Sequence, residues 1–218
     1  MTEPSEVHYY DKDFWREENQ KYRQPHYRLD KCALLVNRLA GSRDCDLLDV
    51  GCGPATLMQI LRPNIHYYGI DIALPQPRPN LLEIDIVQNP IQFHDQRFDI
   101  VVAQGLFEYL GAHQDQKLTE ISLILMPNGR FVTSYVNFAH RSRSVYGVYN
   151  NVQPLDQFRR SLERRFTIER YFPTSHNWHH DEPSRKLVKL VNRHLNVKVP
   201  YITSKLAVEY FFVCRHPT

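Results

Sequence analysis

The sequence predicts an α/β fold, a mostly parallel sheet with helical segments between its strands. Three observations carry this. Short apolar runs alternate with helical segments from residue 29 onward, the signature of strand–helix–strand units. Phe98-Asp-Ile-Val-Val-Ala103 is almost continuously apolar, as a parallel strand covered on both faces must be. A glycine turn, Gly51-Cys52-Gly53-Pro54, separates the first apolar run from a helix-like stretch.

In chain order, residues 7–28 are rich in Tyr, His, Arg and Asp without a clean period, and read as an N-terminal arm or lid. Residues 29–40 read as a helix, because Cys32, Leu35, Val36 and Leu39 recur at i, i+3, i+4 and i+7. Gly41 and Ser42 stop it. Strands are expected at 46–50, 66–70, 81–86, 98–103 and 130–135, and a helix is expected to start near Ala55 and run to Leu61. A second helix covers 117–125 and ends at Met126-Pro-Asn-Gly129. Residues 155–165 form a charged amphipathic helix, and 166–172 and 206–215 are two further strands, the latter rich in aromatic and β-branched residues. Residues 183–195 carry Leu187, Leu190, Val191 and Leu195 on one helical face, a cap over a pocket.

Composition narrows the class. At 218 residues and 42% hydrophobic content, one domain over 1–218 with a full core is expected. A net charge of +3 disfavours a dedicated nucleic-acid binder. Arg141, Arg143, Arg159, Arg160, Arg164, Arg165 and Arg170 nevertheless crowd one stretch, either a solvated helix face or a docking patch for an anionic partner. The four cysteines have no metal-type spacing, the polar N-terminus is no signal peptide, and no apolar run is long enough for a membrane span. A cytoplasmic protein, monomer or homodimer, without membrane contact, is the expectation.

In an open α/β sheet, ligands sit beyond the carboxyl ends of the strands. Here those positions hold Asp49-Val-Gly51-Cys52-Gly53, Asp71-Ile72, Asp85-Ile86 and Gln104-Gly105. The two glycines let a ligand approach the backbone. Asp71, 20 residues past Gly51, is placed to accept both hydroxyls of a ribose. The dinucleotide fingerprint fails, because the sixth residue counted from Gly51 is Thr56. An acidic Asp49 also suits a cationic ligand better than a pyrophosphate.

The pattern Asp49-x-Gly51-x-Gly53 resembles the cofactor loop of class I S-adenosylmethionine methyltransferases. The resemblance extends to an acidic residue ending the second strand (Asp71) and a carboxylate after the third (Asp85). Phe98-Asp-Ile-Val leading to Glu108-Tyr109 is similar to the family's fourth-strand motif, with Tyr109 where His is frequent. Leu125-Met-Pro-Asn-Gly-Arg-Phe131 is similar to its turn into the fifth strand. The third loop glycine is replaced by Ala55. The match covers residues 46–135. It implies a Rossmann-like, seven-stranded, mostly parallel sheet with an antiparallel last strand and helices on both faces. Residues 1–45 are then lid and first helix, 46–135 the cofactor core, and 136–218 the acceptor side. S-adenosyl-L-methionine is the implied cofactor, held by Asp49, Gly51, Cys52, Gly53, Asp71, Ile72, Asp85, Ile86, Gln104 and Gly105.

The methyl acceptor is less legible. The amino-methyltransferase motif of nucleic-acid enzymes is absent, Gln104-Gly-Leu-Phe107 standing in its place, so a small-molecule acceptor is expected and nucleic acid is not. Candidate acceptor contacts are Tyr10, Trp15, Glu108, Tyr109, Tyr135 and Trp178, with Glu108 alternatively bracing the cofactor loop. His140, His176 and His179 are candidate general bases, since imidazole titrates near neutral pH. The cluster around them matches no trusted metal spacing, so no metal is expected. The two other readings left open are a regulatory protein that binds the cofactor without transfer, and a macromolecular methyltransferase.

Overall fold

The structure is a computed structural model that describes residues 12–25, 27–76, 78–137, 153–176 and 207–217. Seven strands form one sheet: β1 (Cys45–Val50), β2 (Ile65–Asp71), β3 (Leu81–Glu83), β4 (Phe98–Ala103), β5 (Leu125–Val136), β6 (Thr167–His176) and β7 (Ala207–Arg215). Their order is β3-β2-β1-β4-β5-β7-β6. The first five are mutually parallel, and β7 slots between β5 and β6 antiparallel to both. After β3 the chain crosses back to lay β4 on the other side of β1. That reversal opens a crevice beyond the carboxyl ends of β1 and β4. The expected Rossmann-like sheet with an antiparallel last strand is therefore the observed one.

The described helices are α1 (Lys12–Glu18), α2 (Tyr27–Ala40), α3 (Gln114–Ile124) and α4 (Leu155–Glu163). Strand side chains alternate between faces, and the core divides accordingly. On one face Cys32, Ala33, Val36 and Ala40 of α2 pack on Leu47, Ile100, Val102, Val132 and Phe211. On the other, Leu118 and Ile121 of α3 and Phe158 and Leu162 of α4 pack on Leu48, Val101, Phe131 and Phe212. All four cysteines are free and buried.

Three elements differ from the sequence reading. β3 stops at Glu83, because Asp85 closes a turn: its Oδ1 accepts from Val87 N at 2.9 Å and its carbonyl from Asn89 N at 2.9 Å. The segment after Pro54 is a short 3₁₀ helix, Thr56–Ile60, preceded by Ala55 in the left-handed region (φ 57°), where an α-helix was expected. β5 begins at Leu125, and residues 126–129 bulge out between the Phe98↔Leu125 and Ile100↔Arg130 pairs, with Asn128 at φ 61°. The helix expected at 183–195 lies outside the described residues.

The arginines of α4 are spoken for. Arg159 pairs with Glu163 and Arg160 with Asp156 along the helix. Arg165 reaches α3 and grips both oxygens of Asp115, at 2.6 and 3.1 Å, with Arg164 beside it. These four arginines share three carboxylates, Asp156, Glu163 and Asp115, in ion pairs along this face. No helix among the described residues is long and apolar enough to cross a membrane.

The α4 face hinges on Phe158, which is fully buried. It stacks on Tyr135 (centroids 4.0 Å apart, planes 9°) and touches Phe107 and Phe212. Phe158→Ala is expected to cost about 3–5 kcal/mol in urea-unfolding stability. A loss under ~1 kcal/mol would show that α4 is only loosely attached.

Candidate active site

A cavity of about 250 Å³ opens beyond the carboxyl ends of β1, β2, β4 and β5, under the N-terminal arm. Its floor is the loop after β1. Gly51 (φ 77°) and Gly53 (φ 53°) both take left-handed conformations, so the chain doubles back. Gly51 N donates to Ile70 O at 2.8 Å, and Gly53 N donates to Asp71 Oδ2 at 2.8 Å. A Cβ on Gly51 would meet Leu106 Cδ1 at 3.0 Å, and one on Gly53 would meet Asn19 Oδ1 at 3.1 Å. Only glycine allows both the turn and the close approach. Gly69, opposite Asp49 on β2, is also constrained: a Cβ there would lie 2.8 Å from Cys52 Sγ.

Two buried carboxylates face this floor. Asp49 accepts a hydrogen bond from the Tyr67 hydroxyl at 2.7 Å. Burial pushes its pKa up to about 7; the Tyr67 bond opposes this and the nearby Asp71 adds to it. Asp71 accepts from Gly53 N, from Ala73 N at 2.9 Å and from Asn19 Nδ2 at 3.3 Å. Burial raises its pKa as well, against those three bonds. Asn19 also donates to Ala73 O at 2.9 Å, pinning the arm to the loop after β2. α1 adds an exposed Lys12–Glu83 ion pair.

The far wall follows β4. Gly105 N donates to Ser134 Oγ at 3.0 Å, and Gln104 presents an Oε1 with no partner. Glu108 is 1% exposed; its Oε1 accepts from Val136 N at 2.9 Å, while its Oε2 has no hydrogen-bond partner. Burial is the chief cause that pushes its pKa up to about 7; hydrogen bonds from its own backbone N–H and from Val136 N oppose the rise, as does Arg28, and Glu209 adds to it. Arg28 pairs with buried Glu209 at 3.3 Å across the same wall. Trp15 of α1 meets Tyr109 edge-on, centroids 4.8 Å apart, and both line the cavity.

The cavity thus gathers Asp49, Gly51, Cys52, Gly53, Asp71, Ile72, Ile86, Gln104, Gly105, Glu108, Tyr109 and Trp15. It does not gather Asp85 or Tyr135. Asp85 spends a carboxylate oxygen on its own turn, and its neighbours Ile84 and Ile86 reach the cavity instead. Tyr135 points to the opposite face of β5 from Val136. It is buried on Phe158 and exchanges hydrogen bonds with the Gln153 backbone, so its place is in the core. Tyr10, His140, Trp178 and His179 lie outside the described residues. His176 ends β6 in register with Ala207, and its side chain lies outside them too. The sequence reading missed Asn19, Arg28, Tyr67 and Glu209. Tyr67 had a signal, since it stands four residues before Asp71 and alternation puts both on one face. Asn19, Arg28 and Glu209 had none, because long-range folding alone brings them here.

A family model described as "Methyltransferase domain" matches residues 22–195. Among solved structures, the N-methyltransferase NodS from Bradyrhizobium japonicum WM9, in complex with S-adenosyl-L-homocysteine, is similar at 15% identity and TM-score 0.60. The match covers 95% of this chain and all of that one. A SAM-dependent methyltransferase from Archaeoglobus fulgidus is similar at 14% identity and TM-score 0.62, covering 93% and 100%. The [4+2]-cyclase SpnF is similar at 17% identity and TM-score 0.60, covering 87% and 81%. No curated protein matches by sequence.

Asp49 sets a pH dependence. Its folded pKa of about 7 exceeds the unfolded value of about 4, so the folded state binds the extra proton between these limits. Stability is therefore lost as pH rises through that window and is lowest above pH ~7. Asp49→Asn keeps an acceptor for Tyr67 and removes the charge. It is expected to raise unfolding stability at pH 8 by on the order of 1–4 kcal/mol, and by less at pH 5. A lower Tm for the variant at pH 8 would show that the ionised carboxylate stabilises the fold.

Proposed function

The chain belongs to the methyltransferase domain family of class I, S-adenosylmethionine-dependent enzymes, and on that premise we propose that it methylates an oxygen or nitrogen atom of a small-molecule acceptor. The observation that carries the reading is the charge of the cavity. Asp49 and Asp71 face a glycine floor, and the one cationic side chain among the described lining residues, Arg28, is paired with Glu209. Such a wall suits a ligand with a sulfonium and an ammonium and no phosphate.

The residues present fit that donor. Asp49 is placed to receive its ammonium, as a buried carboxylate with one hydrogen-bond partner gains most from a cation. Asp71, already orienting the loop through Gly53 N, is the proposed acceptor for the ribose hydroxyls. Ile72, Ile84 and Ile86 supply apolar walls for a purine, and Gln104 and Gly105 border the reacting end. When bound, the donor supplies an electrophilic methyl carbon. The protein's part is to align the acceptor with it and exclude water. The paired arginines of α4 support a small acceptor over a polyanion.

Calorimetry is expected to show binding of S-adenosylmethionine and S-adenosylhomocysteine without comparable binding of NAD. Asp71→Ala is expected to weaken it at least ~10-fold, since charged hydrogen bonds are worth about 1.5–3 kcal/mol. Tight NAD binding, or unchanged affinity in the variant, contradicts the assignment. A protein that binds the donor but transfers no methyl group to any of a broad acceptor panel supports the regulatory reading instead.

A further inference from the structure

The floor of the cavity accounts for the donor; the far wall has chemistry left over. Glu108 combines near-complete burial, a place on the wall and a carboxylate oxygen, Oε2, with no partner. A buried carboxylate oxygen without a hydrogen-bond partner is costly unless a ligand completes it. Its surroundings add negative charge: Glu209 lies close enough to perturb it, and the one cation named beside it among the described residues, Arg28, is shared with Glu209. Gln104, which also lines the cavity, has a second buried oxygen without a partner. Trp15 and Tyr109 supply aromatic surface, which attracts an organic cation.

Resting on the methyltransferase reading above, we propose that the acceptor is an amine, and that Glu108 is the catalytic residue that binds it through Oε2 and takes its proton. An anionic acceptor would be repelled by Glu108 and Glu209. A neutral hydroxyl would satisfy Oε2 without compensating the charge. An ammonium does both. It enters as R–NH3+, and one proton passes to Glu108 Oε2. The freed nitrogen lone pair forms the new N–C bond to the methyl carbon as the C–S bond breaks, its electron pair going to sulfur. The product leaves as R–NH2+–CH3, and Glu108 returns its proton to water. Burial already holds this carboxyl near neutrality, where a group can both accept and release a proton at working pH. The proton-acceptor role is assigned to Glu108 on its position in the cavity wall.

The test uses three probes with one aromatic body and different head groups: phenethylamine, 2-phenylethanol and phenylacetate. Each is titrated into the full chain saturated with S-adenosylhomocysteine. Phenethylamine is expected to bind at least ~10-fold more tightly than phenylacetate, with phenylethanol between them. Glu108→Gln keeps the Oε1 bond to Val136 N and should hold S-adenosylhomocysteine as the parent does. It is expected to erase most of the amine's advantage. With S-adenosylmethionine, amine methylation should fall ~100-fold or more in the variant, and the rise in kcat/KM through pH ~7 should disappear. A wild-type protein that binds none of the three, or binds phenylacetate as tightly as the amine, overturns the proposal. So does unchanged amine binding in Glu108→Gln. Failure to bind S-adenosylhomocysteine at all would sink the methyltransferase reading, and this proposal with it.

Discussion

Asp49 and Asp71 are carried into the interior by adjacent parallel strands, and the site is organised around keeping them there. β1 and β2 pair in register from Cys45↔Ile65 to Val50↔Ile70, which brings the two carboxylates to the same end of the sheet. Among the described residues, neither pairs with a cation. Each is held by neutral donors: Tyr67 for Asp49, and Gly53 N, Ala73 N and Asn19 for Asp71. The floor geometry follows. Gly53 must turn its N–H toward Asp71, which demands a positive φ, and Gly69 must lack a side chain so that Cys52 can pack beneath the loop. The arm is tied to the same carboxylate through Asn19, so closing the cavity and bracing Asp71 are one interaction.

Such an arrangement sacrifices stability for binding. A buried acid with a raised pKa destabilises the fold above that pKa, and a natural core would replace it with something apolar. Its retention makes sense where a cationic ligand restores the missing charge. Glu108 repeats the pattern on the opposite wall. Two acidic walls facing one cavity give the molecule a ligand preference that its overall charge of +3 conceals.

Much of this was legible before folding. The Asp49–Gly51–Gly53 turn, Asp71 at the end of β2, and the apolar run of β4 are local patterns with local physical causes. The third strand and the post-loop helix were misjudged for local reasons too: Asp85 prefers its own turn, and Ala55 sits where glycine is easiest, breaking helix continuity. Tyr135 was misplaced by one step of strand alternation, a choice of face that only the packing of Phe158 decides. Arg28 and Glu209 are separated by 181 positions, so their pairing has no sequence signature. Glu108 was visible as a candidate, but the fact that one of its oxygens is used and the other is not exists only in three dimensions.

The buried carboxylates of the floor are proposed to await a cationic donor. Calorimetric titration of S-adenosylmethionine at pH 7, repeated in buffers of different ionisation enthalpy, measures the protons exchanged on binding. A cation beside Asp49 lowers a pKa that stands at about 7, so binding is predicted to release protons, for S-adenosylhomocysteine as well, since it keeps the ammonium. Proton uptake, or a binding enthalpy independent of the buffer, would contradict the account.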